Sequence, residues 1–159
     1  MRKNRSIKNT EGNAAIEFAL VAPALLLLMV GIVEFGLIMF VSSVIENAAT
    51  SASRIGLTGR DGTGGYGESE ARNTFVTNEI NRFAGGIIDV TKVHFNPVVH
   101  GDYSNAGNTG TQGLGKGNEA VTYRVTYDWV FFTPLIGQFF PPNGTYTISS
   151  TVIVKNEDF

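Results

Sequence analysis

The residues best placed to do chemistry are a glycine and a carboxylate five positions apart, in the run Gly12-Asn13-Ala14-Ala15-Ile16-Glu17-Phe18. Glycine carries no side chain, so a peptidase can approach the backbone at Gly12 closely and take it in an extended, strained geometry. A cut after Gly12 frees an α-amino group on Asn13, a cation at neutral pH given an ordinary pKa of about 7.7–8.0. Glu17 lies one helical turn below that amine, so the pair can meet within the chain, or between neighbours offset by an axial step. Pairing offsets the cost of burying either charge alone. A plainer reading stands beside this one. Glu17 then marks only the interfacial edge of an anchor, because helix ends tolerate charge far better than helix centres.

The element that must position these groups is a long apolar segment. No charge occurs from Phe18 to Val33, and after Glu34 the apolar pattern resumes from Phe35 to Ile45. Such a run is long enough to cross a bilayer, which takes about 20 residues, and too long for the core of a secretory signal, about 7–15. Ala22-Pro23-Ala24 mimics a signal cleavage site, but Leu25-Leu26-Leu27-Leu28 still follow it. The segment therefore reads as an anchor that stays. Residues 1–12 carry Arg2, Lys3, Arg5 and Lys8 against Glu11 alone. That asymmetry predicts a cytoplasmic leader, with Thr58–Phe159 across the membrane.

A short basic leader ending in Gly, Glu five residues later, an aromatic after it and then a hydrophobic helix resemble a type IV pilin-like precursor. The fuller pattern GNAAIEFALVAPALLLL, then GIVEFG, then NAATSASR, is similar to the TadE-like proteins of tight-adherence (Tad/Flp) pilus systems. The resemblance covers about residues 10–57. It implies that a membrane prepilin peptidase cuts between Gly12 and Asn13, with Gly12, Asn13, Glu17 and Phe18 as the processing site. It implies that Glu17 serves recognition or subunit registration, and that other pilin-like subunits, inner-membrane pilus assembly proteins and the lipid bilayer are the partners. Asn13 departs from the pattern, being larger and more polar than the Ala or Ser expected after the cut.

Composition fits an exported, anchored module. The 159 residues contain no cysteine, 16% charged residues and 19 glycines, with a formal charge of −2 that becomes more negative without the basic leader. A mildly acidic exported part offers no basic stripe for phosphates, which argues against nucleic acid. Beyond the membrane run, Val41, Val44, Ile45, Ala48, Ala52 and Ile55 recur at helical spacing, so the same helix continues as an amphipathic rod from about Asn13 to Ile55, with Gly56 and Gly59 as stops. The Ala48-Ala49/Ala52 cluster reflects either helix propensity or close helix packing. Ser69 to Ala84 predicts a second helix with Ala71, Phe75, Ile80 and Phe83 on one face. Strands are expected at Ile87–Phe95, ending before Pro97, at Val121–Phe131, where apolar and polar residues alternate, and at Thr145–Val154. Gly59–Gly67 and Gly101–Asn118 read as flexible loops, and Thr133–Asn143 as a Pro-rich connection. The expected fold is α+β. It has a basic leader (1–12), a transmembrane and projecting helix (13–57) and a small extracytoplasmic head (58–159), in which one further helix and an antiparallel sheet pack on the projecting rod.

Enzymatic motifs are weak. Gly62-Thr63-Gly64-Gly65-Tyr66-Gly67 matches G-x-G-x-x-G but follows a helix instead of a strand, and Gly115-Lys116-Gly117 lacks the Ser/Thr of a phosphate loop. His94 and His100 alone, without Cys, do not make a zinc set. Asn143-Gly144-Thr145 reads as a turn better than as a glycosylation acceptor. The expectation is no catalysis, no cofactor, no metal and no small-molecule substrate. Two functional classes lead. One is a minor pilin-like subunit or assembly factor of the inner membrane or pilus; the other is an uncleaved, membrane-anchored binding or adhesion module. Retention of the basic leader separates them.

Overall fold

The computed structural model describes residues 10–60, 69–84, 88–106, 108–140 and 144–159. The element order is α1 (Thr10–Leu57), α2 (Ser69–Ala84), β1 (Val93–Gly101), β2 (Thr111–Gln112), β3 (Ala120–Val130), α3 (Pro134–Gly137) and β4 (Thr145–Lys155). All pairings are antiparallel, in the order β2-β1-β3-β4. This is the expected α+β layout, a long helix packed on a small antiparallel sheet. The G-x-G-x-x-G stretch lies outside the described residues.

Helix α1 runs unbroken for 48 residues, roughly 72 Å at 1.5 Å per residue. Its first half is clothed in exposed Leu, Ile, Val and Phe and contains Pro23, which has no N–H to give to the preceding turn. Its second half buries Val41, Ile45, Ala48, Ala49 and Ala52 in one core with Val76 and Ile80 of α2 and Val121, Tyr123 and Val125 of β3. The small Ala48, Ala49 and Ala52 are therefore packing residues, fully buried, and not only good helix formers. The helix ends where Gly59 takes the left-handed conformation (φ 67°) and its N–H bonds back to the Gly56 carbonyl at 3.2 Å. Gly56 lies inside the helix and does a different job: a Cβ there would come within 1.8 Å of the Tyr123 hydroxyl.

Strand β3 alternates as its sequence predicts, burying Val121, Tyr123, Val125, Tyr127 and Trp129, and β4 pairs with it from Ala120↔Lys155 to Val130↔Thr145. Three expectations need correction. The first strand is Val93–Gly101, displaced along the chain from Ile87–Phe95, and it passes through Pro97, which pairs with Tyr123. Proline is tolerated because β2 covers this edge only at Val98 and Val99, so few ladder bonds depend on it. The stretch 101–118 is more than a loop: it carries β2 and sinks Leu114 completely into the core. Finally, α2 buries Arg72, Val76 and Ile80, while Ala71 is exposed and Phe75 is half-buried, so its inner face is turned from the one expected.

Arg72 is the reason for that turn. Its Nη1 donates to the Gly115 carbonyl (2.7 Å) and its Nη2 to those of Gly56 (2.9 Å) and Leu114 (3.3 Å), and its guanidinium lies 4.8 Å from the centre of the Phe159 ring. One buried cation thus joins α2, the end of α1, the 114–115 turn and the C-terminus. Burial lowers its pKa, but three carbonyl acceptors satisfy the charge. The C-terminal strap is also held by Asn156 Nδ2 on the Leu114 and Lys116 carbonyls and by Glu157 N–H on the Leu57 carbonyl.

Candidate functional site

Gly12 and Asn13 lie near the N-terminal end of the described part of α1. A Cβ added at Gly12 would meet nothing within 4 Å. Glycine costs a helix about 1 kcal/mol relative to alanine, and the fold supplies no steric reason for it here. Gly36 is equally open, so openness alone marks no cut site; what distinguishes Gly12 is its place five residues before Glu17. The structure brings Asn13 and Glu17 together: Asn13 Nδ2 donates to Glu17 Oε1 at 3.0 Å across one turn. Asn13, the residue that departs from the expected Ala or Ser, is thus the one whose side chain already holds the carboxylate. Phe18 projects outward, 71% exposed. All four expected site residues sit on one end of one helix, and none touches the sheet.

A second carboxylate behaves differently. Glu34, roughly 25 Å further along the helix, is buried at 3% exposure against the head. Its Oε1 accepts the N–H of Phe132, just past β3, and its Oε2 has no hydrogen-bond partner among the described residues. One turn back, a Cβ at Gly31 would lie 3.6 Å from Ile136 Cδ1 of α3. Glu34 and Gly31 therefore seat the β3–α3 connection on the helix. A signal for this was present in the sequence, since a carboxylate inside an apolar run needs a partner as much as Glu17 does. The sequence holds no mark, however, of which backbone group would arrive. Glu34→Leu should strand the Phe132 N–H and cost about 1–3 kcal/mol, whereas Glu34→Gln keeps an acceptor and should cost less. Urea unfolding of the detergent-solubilised protein, followed by Trp129 fluorescence, checks this ordering.

The remaining polar groups do not converge. His94 Nε2 lies 3.8 Å from Asp128 Oδ2, both well exposed, and His100 Nε2 shares a hydrogen bond of 2.9 Å with Thr122 Oγ1. Gly144 takes φ 68° in the turn before β4, and Lys116 N–H bonds to Glu119 Oε2 in the turn before β3. Among the described residues, no group of three or more His, Asp or Glu gathers as metal ligands.

Residues 12–54 match the model of a family described as TadE-like protein. The helix is TadE-like. The match starts on Gly12 and stops three residues before the end of α1, so it lies wholly on the helix and bears out the resemblance read from GNAAIEF and the apolar run. The TadE-like segment is apolar and long enough to cross a membrane. The sheet, α2 and α3 lie outside it. No curated protein and no solved structure matches the chain. The TadE-like family is a structural or assembly family of tight-adherence pilus systems.

Proposed function

We propose that this protein is a minor pilin-like subunit or assembly factor of a tight-adherence pilus, without catalytic activity of its own, cut by a prepilin peptidase between Gly12 and Asn13. The observation that carries the reading is the TadE-like match opening on Gly12, on a helix whose Asn13 and Glu17 already face each other at 3.0 Å. Residues 1–12 form the cytoplasmic leader, the first half of α1 the inner-membrane anchor, and residues 58–159 the extracytoplasmic head. Cleavage turns Asn13 into a terminal cation one turn from Glu17, roughly 6 Å along the axis. The carboxylate can then pair with its own amine or, in an assembly, with that of a neighbour. Pilin-like subunits and the inner-membrane assembly proteins are the partners that such a pairing serves.

Two measurements test this. Gly12→Val should leave the leader attached, because a β-branched side chain blocks close approach to the backbone. The folded head should be unaffected, since a Cβ at position 12 meets nothing within 4 Å. An immunoblot in cells with active prepilin peptidase should show only the longer form; normal shortening of the variant counts against Gly12 as the cut position. For topology, a periplasm-active reporter fused after Phe159 should work, and a cytoplasm-only reporter fused there should not. Activity of the cytoplasmic fusion reverses the orientation.

A further inference from the structure

We propose that the lower rim of the head, carried by Phe132, Leu135 and Phe139 on the connection from β3 to β4, enters the outer leaflet of the bilayer that holds α1. The inference rests on the anchor reading above and adds a second lipid contact, made by the head.

Three observations place the rim at membrane depth. First, the rim docks low on the helix, through Phe132 N–H on Glu34 and Ile136 over Gly31. Counted from Phe18, the roughly 20 residues needed to cross the hydrocarbon reach Leu37, beyond that docking level. Second, the open surface of α1 stays apolar past the same level. Phe35, Leu37, Met39 and Phe40 are 39–64% exposed, and the exposed positions turn polar only at Ser43, Glu46, Asn47 and Thr50. These apolar positions point around the helix in several directions. A bilayer covers such a belt on all its open sides, whereas a single protein neighbour covers one.

Third, the rim is built for lipid. Phe132 is 72% exposed, Phe139 78% and Leu135 48%, with Phe140 and Tyr146 also exposed beside them. The sequence from Trp129 to Val154 contains no Asp, Glu, Lys, Arg or His. Large exposed apolar patches on a head surrounded by water are a liability, and aromatic side chains favour the headgroup boundary. The irregular backbone of this connection sets the depth. Unpaired backbone groups are excluded from the hydrocarbon centre, so the rim rests at the boundary with its side chains pointing into the acyl region. Glu34, capped by the Phe132 N–H, is shielded at the level where it would otherwise face lipid.

The absence of cysteine permits a direct test on the full chain. Single Phe139→Cys, Leu26→Cys and Asp102→Cys variants are labelled with a nitroxide and reconstituted in phosphatidylethanolamine/phosphatidylglycerol vesicles. Collision rates with oxygen and with a water-soluble nickel chelate are then compared. Position 26 lies on the exposed apolar helix, and Asp102 lies beyond the far end of β1, away from the rim. The oxygen-to-nickel ratio at 139 should resemble that at 26 and exceed that at 102 several-fold. A ratio at 139 equal to that at 102, with 26 still lipid-like, overturns the rim proposal and leaves the anchor standing. Shielding of 139 from both reagents also overturns it, by showing that protein covers the rim. Nickel access at 26 removes the anchor, and the rim with it.

Discussion

Exchanging Glu17 for glutamine should leave the protein made, inserted and cut, yet unable to support piliation or adherence. The substitution preserves shape, and the glutamine Oε1 can still accept from Asn13 Nδ2, so the local helix geometry survives. Only the negative charge is lost. If the charge pairs with the Asn13 amine released by cleavage, removing it leaves that cation unpartnered at the membrane boundary. Stranding one member of a buried pair costs about 3–5 kcal/mol, less where water reaches the site. At about 1.4 kcal/mol per factor of ten, that weakens each subunit contact by roughly two to three and a half orders of magnitude. Glu34→Gln is the control, because Glu34 serves the head through the Phe132 N–H and sits far from the cut. It should be milder in the same assay. Equal piliation by wild type and Glu17→Gln would reduce Glu17 to an edge-of-membrane residue.

Gly56→Ala should destabilise the helix–sheet core. The new methyl would sit 1.8 Å from the Tyr123 hydroxyl and 2.4 Å from its ring carbon Cζ, and Tyr123 is fully buried. A rigid ring in a packed core has little room to yield, so the strain spreads to α1, whose Gly56 carbonyl also receives Arg72. Overpacking of this kind costs about 1–3 kcal/mol. For a unit of this size, each kcal/mol shifts the melting temperature by about 4 °C. Loss of Trp129 fluorescence on heating should therefore move down by several degrees at least. Tyr123→Phe in the same background removes the closest atom and should recover part of the loss. On its own it should be close to neutral, since the hydroxyl has no hydrogen-bond partner among the described residues. An unchanged melting temperature in Gly56→Ala would contradict this account of the helix–sheet contact.

The same tyrosine gives the head an alkaline limit. Burial pushes the Tyr123 hydroxyl up to about 12, with the Arg72 guanidinium opposing the shift. A pKa raised on folding means that the neutral phenol is favoured in the core. Its contribution is complete below the unfolded value near 10 and is lost as pH rises through 10 towards 12. Denaturant midpoints measured across that window should fall in wild type, and fall less in Tyr123→Phe.

Legibility in the sequence followed the physics of each element. Helix α1 and strand β3 announce themselves because period and hydrophobicity agree over many residues, and the packing follows that pattern. The beginning of α1 is legible for a different reason: Gly12 and Glu17 have no role in the core, so their types stand out against a fold that does not need them. Strand β1 is hard to place from its sequence because Pro97 reads as a strand breaker, and nothing local reveals that its neighbour β2 is two residues long. The inner face of α2 is hard to read because an arginine reads as surface. Only tertiary structure gathers the three carbonyls that let Arg72 be buried. Leu114 was hidden for a related reason, as one apolar residue in a Gly-rich stretch gives no period. Glu34 stood in plain view, but its partner is a backbone N–H 98 residues away.

The central claim is that this helix is a processed pilin-like anchor, and intact-mass measurement of membrane-extracted protein tests it most directly. In cells with active prepilin peptidase, the wild-type mass should correspond to a chain beginning at Asn13. In cells lacking the peptidase, it should retain residues 1–12. A chain that keeps residues 1–12 in both backgrounds would contradict the account and leave an uncleaved, membrane-anchored adhesion module in its place.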